Sequence, residues 1–231
     1  MMMIVVALVS PLYFFLLFYM LDPNRKPLKA FWKVTIWSLM ALVPVFVLTC
    51  LKKVLHVEHW IPTDNIILQL FDDAFLAASI PEEVGKWLAL WLFVKKCGKY
   101  FRTPYDGILF GACIGAVFAG LENIYYLSIN SSVFIRLLFS LPGHVMHALI
   151  MGYFFALIHL GLPSWKNKVL MFLLPILFHG LWDFFLFLMI NDVSGDRIIF
   201  SLTLGLFVVE VFYCVLLTIK TRQQSFSNEL S

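Results

Sequence analysis

Seven apolar runs, near residues 2–21, 31–51, 66–94, 106–128, 134–160, 168–190 and 197–219, take up most of this 231-residue chain. About 20 helical residues cross a hydrocarbon core roughly 30 Å thick, so each run is long enough to span. No water in that core satisfies a bare backbone, which leaves the helix as the spanning element for isolated runs of this kind. The expected fold is all-α: a polytopic membrane helix bundle of about seven transmembrane helices. It forms one integral membrane domain over 1–231, with a short, polar, disordered tail at 220–231. Composition agrees, since 61% of residues are hydrophobic, 13% are charged and the mean hydropathy is +0.90. A soluble domain of this size needs a more polar surface. The net charge of +3 comes from short basic clusters between apolar runs, not from a basic face suited to nucleic acid. Cys50, Cys97, Cys113 and Cys214 are scattered and form no CxxC pair, so they outline neither a disulfide framework nor a cysteine metal site. The first run has no basic residue ahead of it and no small-residue cleavage site, and reads as a retained span rather than a signal peptide.

Lysine and arginine set the direction of crossing. Arg25, Lys26, Lys29 and Lys33 follow the first run, Lys95, Lys96, Lys99 and Arg102 the third, Lys166 and Lys168 the fifth, and Lys220 and Arg222 the last. The opposite side carries only Lys52, Lys53, Arg136 and Arg197. By the positive-inside rule the N-terminus faces out and the C-terminus in.

A charged side chain near the bilayer centre costs at least about 2.5–3.5 kcal/mol. Yet Glu82, Glu83 and Lys86 lie within the third run, Glu122 in the fourth, His144 and His147 in the fifth, and His179 and Asp183 in the sixth. Counted from the inner edge of each run at roughly 1.5 Å per residue, all except Lys86 fall roughly 17–24 Å up. Four spans thus place ionisable groups in one slab of the outer half of the membrane, which scattered structural polar residues have no reason to do. Phe118 with Glu122, His144 with His147, and His179 with Asp183 are three or four residues apart, so each pair shares a helix face. Glu82 and Glu83 point about 100° apart, so only one faces a given point squarely.

Each feature also has a structural explanation. Ser79-Ile80-Pro81-Glu82-Glu83 is an ordinary helix start, with proline in the first turn and acids favoured by the dipole. Glu82 and Lys86 have the spacing of an i,i+4 ion pair. His144 and His147 suit interhelical hydrogen bonds, and His179 with Asp183 suits a self-contained pair. It is their agreement in depth that points to a functional polar chamber. His56 and His59 fall in an outer loop and His159 at the inner interface; none is assigned a site role. Asp72 and Asp73 lie roughly 33–35 Å above Lys95, beyond the hydrocarbon. Asn123 is adjacent to Glu122 and suited to orient it or a nearby backbone group. Glu210 is mid-membrane with no evident partner. Gly107, Gly111, Gly115 and Gly120 give the fourth span a small-residue face, read as close helix packing.

Read in order, EEVGK (82–86), FAGLE (118–122), the His144/His147 pair and HGLWD (179–183) resemble the EExxK, FxxxE, histidine and HxxxD motifs of PrsW-type intramembrane proteases. That family belongs to a superfamily with the CAAX-prenyl endopeptidases and bacteriocin-processing proteins. The resemblance covers about 66–190, the motif-bearing core. Its histidine pair is spaced H-V-M-H where the family pattern is HxxxH, which leaves open which of the two is essential. The resemblance implies an integral protein of the bacterial cytoplasmic membrane. It also implies an endopeptidase acting on a membrane-spanning protein substrate, such as an anti-sigma factor, on its extracytoplasmic side.

Peptide hydrolysis needs an activated water, a stabiliser for the oxyanion and an acid for the leaving amine. The expected catalytic set is Glu82, Glu83, Glu122, His144 and His179, with one of the paired glutamates as general base. Lys86, Phe118, Asn123, His147 and Asp183 support it. His144, His147, His179 and Glu122 are candidate ligands for zinc, which suits histidine and carboxylate donors. A metal-free glutamate mechanism is equally coherent at this level. Two other classes share such residues: a seven-span zinc hydrolase of lipid amides, similar to alkaline ceramidases, and a proton-coupled carrier. A relay staggers its groups in depth, whereas these sit level.

Overall fold

The structure, a computed structural model, describes residues 12–14, 16–22, 25–128, 136–193 and 196–227. Every regular element among them is helical. In chain order they are α1 (Leu12–Leu21), α2 (Leu28–Leu55), α3 (66–97), α4 (Pro104–Ser128), α5 (Arg136–His159), α6 (Trp165–Ile190) and α7 (Asp196–Ser227). Five of them, α2 and α4 to α7, are long and apolar enough to cross a membrane. The third run forms one helical rod, but Asp72, Asp73, Glu82, Glu83 and Lys86 make it too charged to count on apolarity alone. Of the first run, residues 2–11 and 15 lie outside the described residues, as do 134–135 of the fifth run and 228–231 of the tail.

One expectation fails at the C-terminal end. Residues 220–227 are not disordered but continue α7 to Ser227. Lysine, arginine and glutamine are good helix formers, and the Thr221 hydroxyl donates to the Leu217 carbonyl at 2.9 Å. The apolar run stops at 219, but the helix does not.

Burial divides the bundle into a centre and a periphery. Within the bundle 78% of the apolar window of α4 and 83% of that of α5 is buried, against 17% for α2 and 22% for α6 and α7. The outer helices turn Trp32, Phe46, Ile198 and Phe212 outward, as lipid-facing helices do. At the centre α4 and α5 meet backbone to backbone. A Cβ on Gly107, Gly111 or Gly115 would overlap the backbone carbonyls of Gly152, Ala148 and His144 respectively. The glycine face is therefore a packing surface, the way small residues let membrane helices approach. Its last contact seats the backbone of His144. Gly115→Ala should cost about 1–3 kcal/mol by overpacking and displace that histidine. Unfolding in detergent measures the first effect and peptide cleavage the second; a variant matching the parent in both would show that the contact has slack.

Three prolines shape the segments that carry the polar residues. A proline ring clashes with the carbonyl four residues back in a regular α-helix. Ahead of Pro81 and Pro142 the chain widens into π-turns, Asp72–Ser79 in α3 and Arg136–Ser140 in α5. Both turns end in serine, an aliphatic residue and proline, then Glu82-Glu83 or Gly143-His144. Single π-turns inside helices commonly occur at functional sites. Pro175 lies inside α6, one turn before His179. The Ser79 hydroxyl donates to the Ile176 carbonyl at 2.8 Å and ties α3 to α6 at this level. At the far end of α3, Asp72 is fully buried and accepts from the backbone N–H groups of Trp60 and Ile61, both at 3.0 Å. That acid anchors the preceding loop, and His59 lies 3.3 Å from the neighbouring Asp73.

Candidate active site

Glu82, Glu83, Glu122, His144, His147, His179 and Asp183 come together from four helices, within a network closed by Lys86. Lys86 is 1% exposed, and its ammonium donates to Glu83 Oε1 at 2.6 Å. This i,i+3 pair replaces the expected i,i+4 pair with Glu82. The two acids face different ways, and it is Glu83 that turns inward with the lysine. Lys86 also lies 2.9 Å from His144 Nδ1 and 4.8 Å from the centre of the Phe118 ring. An ammonium only donates, so Nδ1 accepts and His144 Nε2–H donates to Glu122 Oε2 at 2.8 Å. The Phe118 ring also packs edge-on to His144, with centroids 5.2 Å apart.

His179 completes the inner side. Its Nδ1 donates to Glu83 Oε1 at 2.8 Å, while Nε2 lies 3.2 Å from Asp183 Oδ2 and 3.7 Å from Glu82 Oε2. The ring of His147 stacks on that of His179 with centroids 5.0 Å apart, and its Nδ1 lies 3.9 Å from Glu83 Oε1. A cavity of about 210 Å³ opens beside the cluster, lined by Glu82, Glu122, His144, His147, His179 and Asp183 together with apolar residues such as Trp182 and Leu186. Glu83 and Lys86 stand behind this wall. The adjacent acids are thus separated, one facing the cavity and one buried in an ion pair.

Asn123 does not take its expected part. It is buried, and neither of its amide atoms has a hydrogen-bond partner among the described residues. On a helix it points about 100° away from Glu122. Two residues at the site were not expected there. Arg136 Nη2 lies 3.2 Å from Glu122 Oε2, with the guanidinium 3.9 Å from the centre of the Tyr126 ring. Glu210 on α7, which has no evident partner in the sequence, lies 3.1 Å from His147 Nε2. Neither contact shows as a helical spacing, because each joins two different helices.

The donor set suits a metal ion. One ligand atom from each of Glu83, His144, His147 and His179 falls within 4.8 Å of the others, and Glu82, Glu122 and His144 form a second such group. Buried Glu82 Oε2, Glu83 Oε2 and His147 Nδ1 make no hydrogen bond among the described residues, which is the condition of ligand atoms awaiting a partner. Three imidazoles and a carboxylate are donors that zinc accepts.

A bundle of apolar helices with carboxylates and histidines converging on a buried cavity has what the class of intramembrane hydrolases requires. Residues 26–217 match the family described as PrsW family intramembrane metalloprotease, and the chain belongs to that family of bacterial integral membrane proteases. It is 26% identical to Protease PrsW of Geobacillus kaustophilus over 88% of this chain and 84% of the relative. Protease PrsW of Oceanobacillus iheyensis is 29% identical over 73% and 75%, and that of Shouchella clausii 30% identical over 80% and 83%. No solved structure gives a significant match. Membership in a protease family sets aside the lipid amidohydrolase and the proton-coupled carrier.

Proposed function

We propose that this chain cuts a peptide bond of a membrane-anchored protein, such as an anti-sigma factor, near the extracytoplasmic face, with Glu82 as general base. The supporting observation is the separation of the two acids. Glu82 lines the cavity with Oε2 unbonded among the described residues, whereas Glu83 is held by Lys86 and His179. A general base must reach the water it deprotonates, and only Glu82 of the pair opens onto space for water and substrate. Lys86 fixes the tautomer of His144, which in turn holds Glu122 at the wall. Arg136 lines the same cavity with Nη2 against Glu122 and Nε without a hydrogen bond among the described residues, and offers that N–H to a carbonyl oxygen as charge develops on it. Glu83, His147 and His179 would hold the metal, proposed as zinc, which supplies Lewis acidity when bound. His144, whose two ring nitrogens are engaged by Lys86 and Glu122, stands beside it.

The basic clusters favour seven crossings, α1 and α3 included, with the N-terminus outside. This direction puts the cavity in the outer half of the membrane, roughly 18–20 Å from Lys95 near the inner end of α3.

The test is cleavage of a single-span peptide in proteoliposomes, with the cut mapped by mass spectrometry. A cut at the extracytoplasmic end of the span is expected; a cut confined to the cytoplasmic flank would overturn the topology. Purified protein is expected to carry stoichiometric zinc that the His147→Ala and His179→Ala variants lose. Unimpaired cleavage by a metal-free preparation would refute the metal assignment and leave the glutamates as the machinery.

A further inference from the structure

We propose that Glu210 is a positioning residue of this site: its carboxylate accepts the Nε2–H of His147 and turns the Nδ1 lone pair toward Glu83 and His179. The buried residues of α7, Ile199, Thr203, Glu210, Cys214, Leu217 and Thr221, recur at spacings of three, four and seven. They form one inward stripe on a helix whose other faces carry exposed Val208, Val209, Phe212 and Val215. An acid in that stripe at the depth of the bilayer is costly unless it is paired. Glu210 is 2% exposed, its Oε1 lies 3.1 Å from His147 Nε2, and neither atom has a hydrogen bond elsewhere among the described residues. The contact has the length of a hydrogen bond but not its angle, so a small ring rotation is needed to align the N–H.

The consequence lies at the other nitrogen. A neutral imidazole carries one proton, and an acceptor at Nε2 assigns it there. Nδ1 then presents a lone pair to the cluster in which Glu83 Oε1 lies 3.9 Å away. Without Glu210 the proton is free to sit on Nδ1, facing the site with a donor where an acceptor or ligand is required. Histidines that bind metals are commonly held by such a carboxylate, whose loss costs 10–100-fold in affinity or activity. This role rests on the assignment of His147 to the site proposed above.

The experiment uses the full chain in detergent with Glu210→Ala, Glu210→Gln and, as a lipid-facing control on the same helix, Val209→Ala. Three quantities are read: zinc affinity by chelator competition, kcat and KM on the single-span peptide, and the His147 tautomer by ¹⁵N NMR. Glu210→Ala is expected to weaken zinc and lower kcat by about 10–100-fold with KM unchanged, and to lose the Nε2–H tautomer. Glu210→Gln, whose side-chain carbonyl still accepts, is expected to recover most of both, and Val209→Ala to match the parent. Parental zinc affinity, kcat and tautomer in Glu210→Ala would overturn the role, as would equal losses in all three variants, which indicate a loosened helix. If the parent binds no zinc or cuts no peptide, the proposed function fails, while the tautomer still decides the inference: Nε2–H in the parent and lost in Glu210→Ala supports it, the same mixture in both refutes it.

Discussion

Replacing Glu82 by glutamine is expected to lower turnover of a membrane-spanning peptide by about 10²–10⁴-fold, the usual contribution of a positioned general base, while leaving the unfolding transition in place. The variant keeps the shape of the side chain and removes only its ability to take a proton. Glu82 Oε2 makes no hydrogen bond among the described residues, and the ring nitrogens of His179 and His144 stand off at 3.7 and 3.9 Å. Little bonding is therefore lost, and neutralising an unpaired buried carboxylate costs nothing in desolvation. Initial cleavage rates and a detergent melting curve on the same preparation check both halves. Turnover within a few-fold of the parent would remove Glu82 as the base, and a collapsed melting curve would make it structural.

Much of this site can be read from the chain because each motif is local. Glu82 with Glu83, Phe118 with Glu122, His144 with His147, and His179 with Asp183 each lie within one turn of helix, where spacing alone assigns a face. A common depth then requires only a helical rise and a membrane edge. The helices were legible for the same reason: lipid demands unbroken apolar runs, and these show in composition alone. What could not be read depends on how the helices are rotated against each other. Glu83, not Glu82, pairs with Lys86 because α3 turns that face toward His179 and His144, and spacing allows either acid. Glu210 and His147 lie on different helices, and Arg136 meets Glu122 across a connection. The π-turns leave only the trace of Pro81 and Pro142, residues equally at home in an ordinary first turn. Helix α7 outlasts its apolar run because helix propensity continues where hydropathy stops.

Removing the neighbouring acid should have the opposite outcome, and a double-mutant cycle can show it. Lys86 is an ammonium with almost no exposure, held at 2.6 Å by Glu83 and 2.9 Å by His144 Nδ1. His144 has no negative charge to offer, so in Glu83→Gln the cation keeps no carboxylate within 4.0 Å among the described residues. Breaking a buried pair on one side costs about 3–5 kcal/mol, because the other charge stays behind unpaired. Glu83→Gln and Lys86→Met should each lose an amount of that order in denaturant unfolding, and the double variant Glu83→Gln/Lys86→Met should recover most of it, leaving a coupling energy well above 1 kcal/mol, the upper end for exposed pairs. Activity should not return with stability. Methionine cannot donate to His144 Nδ1, so the proton is no longer directed to Nε2 and the 2.8 Å bond to Glu122 loses its donor. A double variant that folds like the parent, cleaves poorly and has lost the Nε2–H tautomer of His144 by ¹⁵N NMR would separate the two tasks of Lys86, neutralising Glu83 and setting that tautomer. The NMR readout is needed because Glu83 is itself a proposed metal ligand. One that recovers both would confine the lysine to charge balance, and additive single losses would mean that the pair is not coupled at all.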